Sequence, residues 1–325
     1  MNTEEIETNR LTIVIFGISG FVGSNLAEFL KKDFRVVGTY YKYKVQIPGV
    51  LTIPCDVLSK EEVQMALYSL KPDIAIYCAG YSSVVDCSET PEVADALNTA
   101  GLINVTEYCQ RYKAQICYIS SSFVFGGEDK DYVEMDIPDS GTVYGKTVAS
   151  SEFYIQKTSL NYVIFRCCRL YGRGIHPYKL HWFELMQKQL MLGKNIALDD
   201  NIVTGFLDIY YLGLLLKLSF KTKVTNRLFQ VCSRDFNTFY GFGQEYAKAF
   251  STNESMFSKG RFAFPRVGNS ARALGDGLYF KMDTSNIEGY LNVKLPSIQE
   301  SLEFTFKRFL GEKKTDRGGS DITFI

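Results

Sequence analysis

A chain of 325 residues can bury a full core, either as one large α/β domain or as a nucleotide-binding domain with a smaller partner. Its 36 Lys plus Arg balance 36 Asp plus Glu, so no bulk field draws it to nucleic acid or an acidic membrane surface, and any anion site must be local. Residues 1–10 lack the apolar core of a signal peptide, and no later stretch has the roughly 18 uncharged apolar residues of a membrane span, which predicts a cytoplasmic protein without membrane contact.

Short apolar runs at 12–16, 35–38, 51–55, 74–77 and 115–119 alternate with helical-period stretches at 22–31, 60–70 and 99–111. A helix at 143–156 and a strand at 162–166 extend the series. Strands that are apolar throughout and separated by helices imply a parallel sheet covered on both faces. The predicted fold is therefore α/β, a doubly wound parallel sheet (Rossmann fold) over residues 11–172. Beyond Gly172 the alternation is irregular: a helix at 180–192, an apolar run at 210–218, a strand at 228–231 and helices at 239–250 and 298–309. Residues 173–310 read mainly as a smaller C-terminal lobe, with some later segments returning to the first domain, and 311–325 as a flexible tail.

Eight cysteines, at 55, 78, 87, 109, 117, 167, 168 and 232, form no C-x-x-C pair and read as small buried hydrophobes in a reducing compartment. The two histidines, His176 and His181, have no Cys or His partner at metal-ligand spacing, so no metal site is expected and a structural role is the default.

The first strand runs into Gly17-Ile18-Ser19-Gly20-Phe21-Val22-Gly23 and then a helix. In that setting the first glycine permits the tight turn, the second lets backbone approach a pyrophosphate, and the third lets the helix lie close to the sheet. The helix N-terminus then offers free N–H groups and a positive dipole. The spacing is one residue longer than the usual dinucleotide fingerprint.

After the second strand comes Gly38-Thr39-Tyr40-Tyr41-Lys42-Tyr43-Lys44, with no carboxylate to hold a ribose 2′-hydroxyl or repel a 2′-phosphate. Lys42 or Lys44 either attracts such a phosphate or is a solvated charge; the pattern leans toward NADP(H) over NAD(H). Asp56 faces an adenine ring, or else it or Ser59 caps the helix that follows. Cys78-Ala79-Gly80-Tyr81 follows the fourth strand and lets backbone pass near a cofactor, while Asn98 either braces backbone or touches a ligand. Ser120-Ser121-Ser122-Phe123 ends the next strand, and Tyr144 opens the helix after it, where one carbonyl could meet both.

Together these segments resemble the extended short-chain dehydrogenase/reductases, most closely the dTDP-4-dehydrorhamnose reductase branch of sugar-nucleotide enzymes. The resemblance runs from Leu11 to about Leu310. It rests on Gly17/Gly20/Gly23, Cys78 to Tyr81 with Asp86, Asn98, Ser121 with Phe123-Val124-Phe125, Tyr144-Gly145, Arg166 with Leu170-Tyr171-Gly172, and Met282-Asp283-Thr284-Ser285. It implies that Ser121 polarises a carbonyl and Tyr144 donates the proton. It also implies a cofactor held by Gly17, Ser19, Gly20, Phe21, Val22, Gly23, Tyr40, Lys42, Asp56, Val57, Cys78, Ala79, Gly80, Asn98 and Tyr144. A sugar nucleotide would meet Tyr81, Ser83, Ser122, Phe123, Arg173 and Arg266, with Lys194 a further basic candidate for its diphosphate. A homodimer through the helices after the fourth and fifth strands is implied as well.

One position departs from the pattern. The family's Lys, four residues after the Tyr, is here Val148, and Lys146 is turned by roughly 200° from Tyr144 on a helix, so it cannot replace the missing cation. The literal Tyr-x-x-x-Lys, Tyr40 to Lys44, lies after the second strand instead. A phenol of pKa near 10 that loses a cation worth roughly 2 to 3 units has about 100- to 1000-fold less phenolate. That penalty bears most on oxidation, where Tyr is the base, and less on reduction, where it is the acid. Three readings follow: an NADP(H)-dependent reductase of a 4-keto sugar nucleotide, a non-catalytic dinucleotide-binding regulatory protein like the regulatory subunit of methionine adenosyltransferase, or an epimerase or dehydratase. A dehydratase also calls for a carboxylate where Ser122 stands.

Overall fold

Strands with no polar face must be covered on both sides, and the computed structural model, which describes residues 10–175, 180–260 and 277–312, shows them so covered. In chain order the first half comprises β1 (Thr12–Phe16), α1 (Phe21–Leu30), β2 (Arg35–Tyr40), β3 (Leu51–Pro54), α2 (Lys60–Leu70), β4 (Ile74–Tyr77), α3 (Val84–Glu89) and α4 (Pro91–Asp95). A π turn (Ala96–Ala100) leads into α5 (Gly101–Tyr112), then β5 (Gln115–Ser121), β6 (Asp131–Tyr132), α6 (Val143–Thr158) and β7 (Tyr162–Cys167). The second half comprises β8 (Arg169–Tyr171), α7 (Trp182–Met191), β9 (Ile196–Leu198), β10 (Ile202–Thr204), β11 (Phe206–Asp208), α8 (Ile209–Lys221) and β12 (Arg227–Val231). It ends with α9 (Phe239–Phe250), β13 (Phe257–Lys259), β14 (Leu278–Met282), α10 (Ser285–Leu291) and α11 (Ile298–Glu312).

Seven strands make one parallel sheet in the order β12-β7-β5-β4-β1-β2-β3. β1 is an inner strand beside the central β4, with Val14 opposite Val37 on one side and Ala75 on the other. Helices α1 and α8 pack together in one layer, and α2, α5 and α6 in a second. Ile13, Val14, Ile15 and Phe16 are wholly buried between the layers, each apolar side chain stabilising by about 1.5–3 kcal/mol before its entropy cost. This is the doubly wound α/β sheet that the alternation predicts.

Local signals explain most element ends. Ser59 accepts from the Glu62 N–H at 3.2 Å to start α2, which stops at Lys71 in the left-handed conformation (φ 44°). Thr142 accepts from the Gly145 N–H at 2.9 Å to start α6. The apolar run at 210–218, which has no clear period, is helix α8, begun by the Asp208 side chain accepting from the Tyr210 N–H at 2.8 Å. β5 runs two residues beyond its predicted end and so carries Ser121 as its last residue.

The second half builds a separate aromatic core from Tyr171, Trp182, Phe183, Phe206, Phe239, Phe242, Tyr246 and Phe309. β12 leaves this region and pairs with β7 at the edge of the main sheet. Three small parallel sheets, β10-β14-β6, β11-β8 and β13-β9, escaped the sequence reading because most of their strands have only two or three residues, too few to show alternation. His176, Arg266 and residues 313–325 lie outside the described residues.

Candidate active site

The strand order reverses between β1 and its two neighbours β2 and β4, so the carboxyl ends of β1 and β4 diverge and open a crevice. A cavity of 380 Å³ lies there, lined by the glycine loop, residues 78–82, Asn98, residues 118–123, Tyr144, Val148, residues 167–170, His181 and Thr204.

The three loop glycines have different physical reasons. Gly17 has φ 88°, and a Cβ on it would stand 2.7 Å from the Ala79 backbone nitrogen, so the turn off β1 demands glycine. Gly23 faces the Gly17 carbonyl too closely for any side chain, which lets α1 lie against the loop. Gly20 is different: its φ is −76°, and a Cβ there would meet only the Gly17 oxygen at 3.4 Å. The fold does not require a glycine at Gly20; bare backbone there faces the cavity at the N-terminus of α1, which no side chain caps. That is the cradle a pyrophosphate needs, so the residues present fit a dinucleotide. Ser19, Phe21 and Val22 line the same cavity.

Across from the loop, Cys78 continues from β4 with its N–H on the Phe16 carbonyl at 3.0 Å, and Gly80 (φ 142°) packs against the Asn98 side chain. Asn98 sits in the π turn. Its Oδ1 accepts from the Tyr81 N–H at 2.8 Å, and its Nδ2 donates to the Tyr81 carbonyl and the Thr147 hydroxyl, each at 3.1 Å. Asn98 thus braces the loop after β4 against α6, and it also lines the cavity.

Ser121 and Tyr144 both line the cavity, close enough for the Ser121 side chain to favour the Tyr144 phenolate, and the Tyr144 ring stands edge-on to Phe123 at 6.0 Å. The approach depends on Gly145, where a Cβ would overlap the Phe123 carbonyl and Ser140. Burial raises the Tyr144 pKa, while the Ser121 side chain and the positive charge of Arg169 oppose the rise. Val148, one turn along α6, is 3% exposed and lines the cavity. Lys146 points to solvent. Two turns from Tyr144, Glu152 is buried with Arg166 (Nη2 to Oε2 2.7 Å) and accepts from the Ser120 hydroxyl, pinning α6 to β5 and β7.

Several expected contacts are not among the residues lining this cavity. The Ser83 hydroxyl accepts from the Asp86 N–H at 3.2 Å and starts α3, so it is occupied as a cap and is not among the cavity-lining residues. Asp56 accepts from the Leu58 N–H at 3.0 Å in a tight turn, and Ser59, not Asp56, caps α2. Tyr40, Lys42 and Val57 belong with Asp56 to the carboxyl edge of β2 and β3, outside the cavity, and Lys42 lies 5.4 Å from the Tyr41 ring. Arg173 is displaced by the turn at Gly172 (φ 140°): its guanidinium stacks 3.7 Å from the Phe309 ring in a second cavity of 180 Å³. Lys194 is exposed and lines neither cavity. Ser122, Phe123 and Tyr81 do line the main one.

Two lining residues escaped the sequence reading in whole or part. Arg169, on β8, places its guanidinium between Phe123 and Phe239, 5.4 and 5.3 Å from their centroids. It is the one lysine, arginine or carboxylate among the described residues lining the cavity. Only its position three residues after the buried Arg166, past the end of a strand, could have flagged it. His181 stacks flat on Phe21 at 3.7 Å and 4°, joining the second half to the glycine loop. Burial, with Arg169 nearby, pulls its pKa down to about 3, and its Nδ1 has no hydrogen-bond partner among the described residues. No group of three potential metal ligands occurs among the described residues, and no helix there is long and apolar enough to cross a membrane.

The chain is 26% identical to methionine adenosyltransferase 2 subunit beta of Rattus norvegicus over 171 residues, 52% of this chain and 50% of that one. It is 23% identical to a probable low-salt glycan biosynthesis reductase of Haloferax volcanii over 301 residues, 89% of this chain and 95% of that one. It is 28% identical to dTDP-4-dehydrorhamnose reductase of Aggregatibacter actinomycetemcomitans over 182 residues, covering 56% and 59%. The chain thus spans about half the length of several curated relatives it matches and nearly all of the Haloferax one. Among solved structures, dTDP-4-dehydrorhamnose reductase of Bacillus anthracis, in complex with NADP, superposes with a TM-score of 0.76 at 19% identity, covering 92% of this chain and 98% of that one. UDP-glucose 4-epimerase of Thermotoga maritima superposes with 0.77 at 18%, covering 94% and 100%. These two share the fold. Residues 11–204 match the family described as the RmlD substrate binding domain, and the chain belongs to that family, within the extended short-chain dehydrogenase/reductases.

Proposed function

We propose that the protein is an NADP(H)-dependent reductase of a 4-keto sugar nucleotide. The observation that carries this reading is the Ser121–Tyr144 pair in the same cavity as the glycine loop. A reduced nicotinamide supplies the hydride when bound. The chain's residues do the rest: Ser121 holds the carbonyl oxygen, Tyr144 gives that oxygen a proton as it becomes a hydroxyl, and the apolar wall of Phe123 and Val148 limits water. Gly17, Ser19, Gly20, Phe21, Val22, Gly23, Cys78, Ala79 and Gly80 would cradle the cofactor. Tyr40, Lys42, Asp56 and Val57 would border its adenosine end. With no carboxylate after β2 and Lys42 exposed there, a 2′-phosphate meets no repulsion, which favours NADP(H) over NAD(H).

Residues 11–172 serve in this reading as the cofactor domain and 173–310 mainly as the substrate lobe, with β12 returning to the first. Tyr81, Ser122, Phe123 and Arg169 are the substrate contacts the cavity supports. The protein would act in a reducing compartment, its eight cysteines unpaired, and as a homodimer through α5 and α6.

The test is to offer a 4-keto sugar nucleotide with NADPH or NADH and follow loss of dihydronicotinamide absorbance. Consumption of NADPH with formation of the reduced sugar supports the proposal. Release of an isomer without net cofactor oxidation indicates an epimerase. Cofactor binding without turnover across such substrates favours the second reading, a non-catalytic regulatory subunit. Val148 in the lysine position and the 26% identity to methionine adenosyltransferase 2 subunit beta both speak for that alternative.

A further inference from the structure

We propose that Arg169 serves Tyr144 as the cation that position 148 lacks, stabilising from β8 the phenolate left when the tyrosine delivers its proton. The inference rests on the reading of Tyr144 as proton donor. In that step the Tyr144 O–H bond breaks, the proton forms the new O–H bond on the substrate oxygen, and solvent later restores the phenol. Arg169 stays protonated and exchanges nothing.

Three observations carry the assignment. First, Arg169 and Tyr144 line one cavity and share Phe123 as a neighbour, the ring of Tyr144 edge-on to it and the guanidinium over its face. Second, no ion pair holds Arg169 among the described residues, and no Asp or Glu there lines the cavity. Its charge is held by two aromatic faces, an arrangement that suits a delocalised, weakly hydrated guanidinium better than an ammonium. Third, the other titratable groups that act on the phenol among the described residues carry no charge at neutral pH. Cys87 on α3 is pushed up to about 11 by burial, and burial likewise raises Cys167 on β7 and Tyr118 on β5, while Ser121 does not ionise. Among the described residues the full charge that phenol meets is therefore Arg169, which lowers its pKa against the pull of burial. A lysine on α6 would reach the phenol along its own helix. Arg169 acts on it by charge from β8, which leaves position 148 free to be a packed valine.

The experiment reads the phenol directly, with no substrate or cofactor present. Protein made with 3-fluorotyrosine, whose phenol ionises at lower pH, is titrated by fluorine NMR, and the resonance lost in Tyr144→Phe identifies the residue. Arg169→Gln should raise the Tyr144 midpoint by about one pH unit or more. Arg169→Met, which keeps the stem, should do the same if the Gln variant fails to fold. Arg169→Lys should restore most of the shift, and Arg169→Gln with Val148→Lys should bring the midpoint back down. A midpoint that stays put in a folded Arg169→Gln or Arg169→Met overturns the proposal. So does a wild-type phenol that remains protonated to the alkaline limit of the fold. A shifted midpoint in a protein that reduces no keto sugar would instead sink the reductase reading and leave the charge assignment standing.

Discussion

Tyr144→Phe removes one oxygen from a half-buried ring, so it tests chemistry with little cost to packing. Turnover should fall about 100- to 10,000-fold while NADPH affinity, measured by fluorescence titration, changes little. His181 tests the other wall of the cavity by pH. Its folded-state pKa of about 3 lies below the ordinary 6.5, so the unfolded chain takes the proton first as pH falls. The stability this residue contributes is whole above pH 6.5 and is lost progressively as pH drops toward 3. Urea midpoints at pH 7.5 and 4.5 should differ in the native protein and converge in His181→Phe, which keeps a ring against Phe21; an undiminished difference would locate the acid sensitivity elsewhere.

Elements hold these residues in place, and the loop between β1 and α1 separates folding from binding. Gly17→Ala forces a left-handed alanine onto the Ala79 backbone and should cost at least about 1–2 kcal/mol, read as a lower thermal midpoint. Gly20→Ala meets only ordinary contact within the protein, so the midpoint should hold while dinucleotide affinity falls roughly tenfold or more, ~1.4 kcal/mol. If both variants lose stability equally, the cradle reading of Gly20 fails. Helix α6 is anchored by Glu152, and Glu152→Gln should cost about 3–5 kcal/mol in denaturant unfolding because Arg166 keeps a buried charge without its partner.

For the whole molecule, the two cores unfold a simple expectation: Phe242→Ala, in the aromatic cluster, should destabilise by about 3–5 kcal/mol and, in hydrogen exchange, loosen α7 and α9 before β1 and β4. The first core was legible in sequence because strands buried on both faces leave unbroken apolar runs, whereas Ser121 and Tyr144 stood out only through the resemblance of their segments to a family, since each alone reads as a loop serine or a core tyrosine. Arg169 was not legible. Its β8 has three residues, and its surroundings, Phe123, Phe239 and Tyr144, come from segments scattered over more than a hundred positions of chain. Arg173 looked as suitable in one dimension, yet the turn at Gly172 sends it to the other cavity. The π turn at Ala96–Ala100 was equally invisible, and it bears on how the length of this chain can vary. There the Gly101 N–H reaches back five residues to the Ala96 carbonyl, so the turn absorbs one residue more than an α-helical path does. A chain one residue shorter would close to ordinary helix with Leu102, Val105 and Cys109 still against the sheet, but with no side chain in the place of Asn98. A single-residue insertion at that point is thus a way for a helix to gain a bracing group without turning either of its flanks.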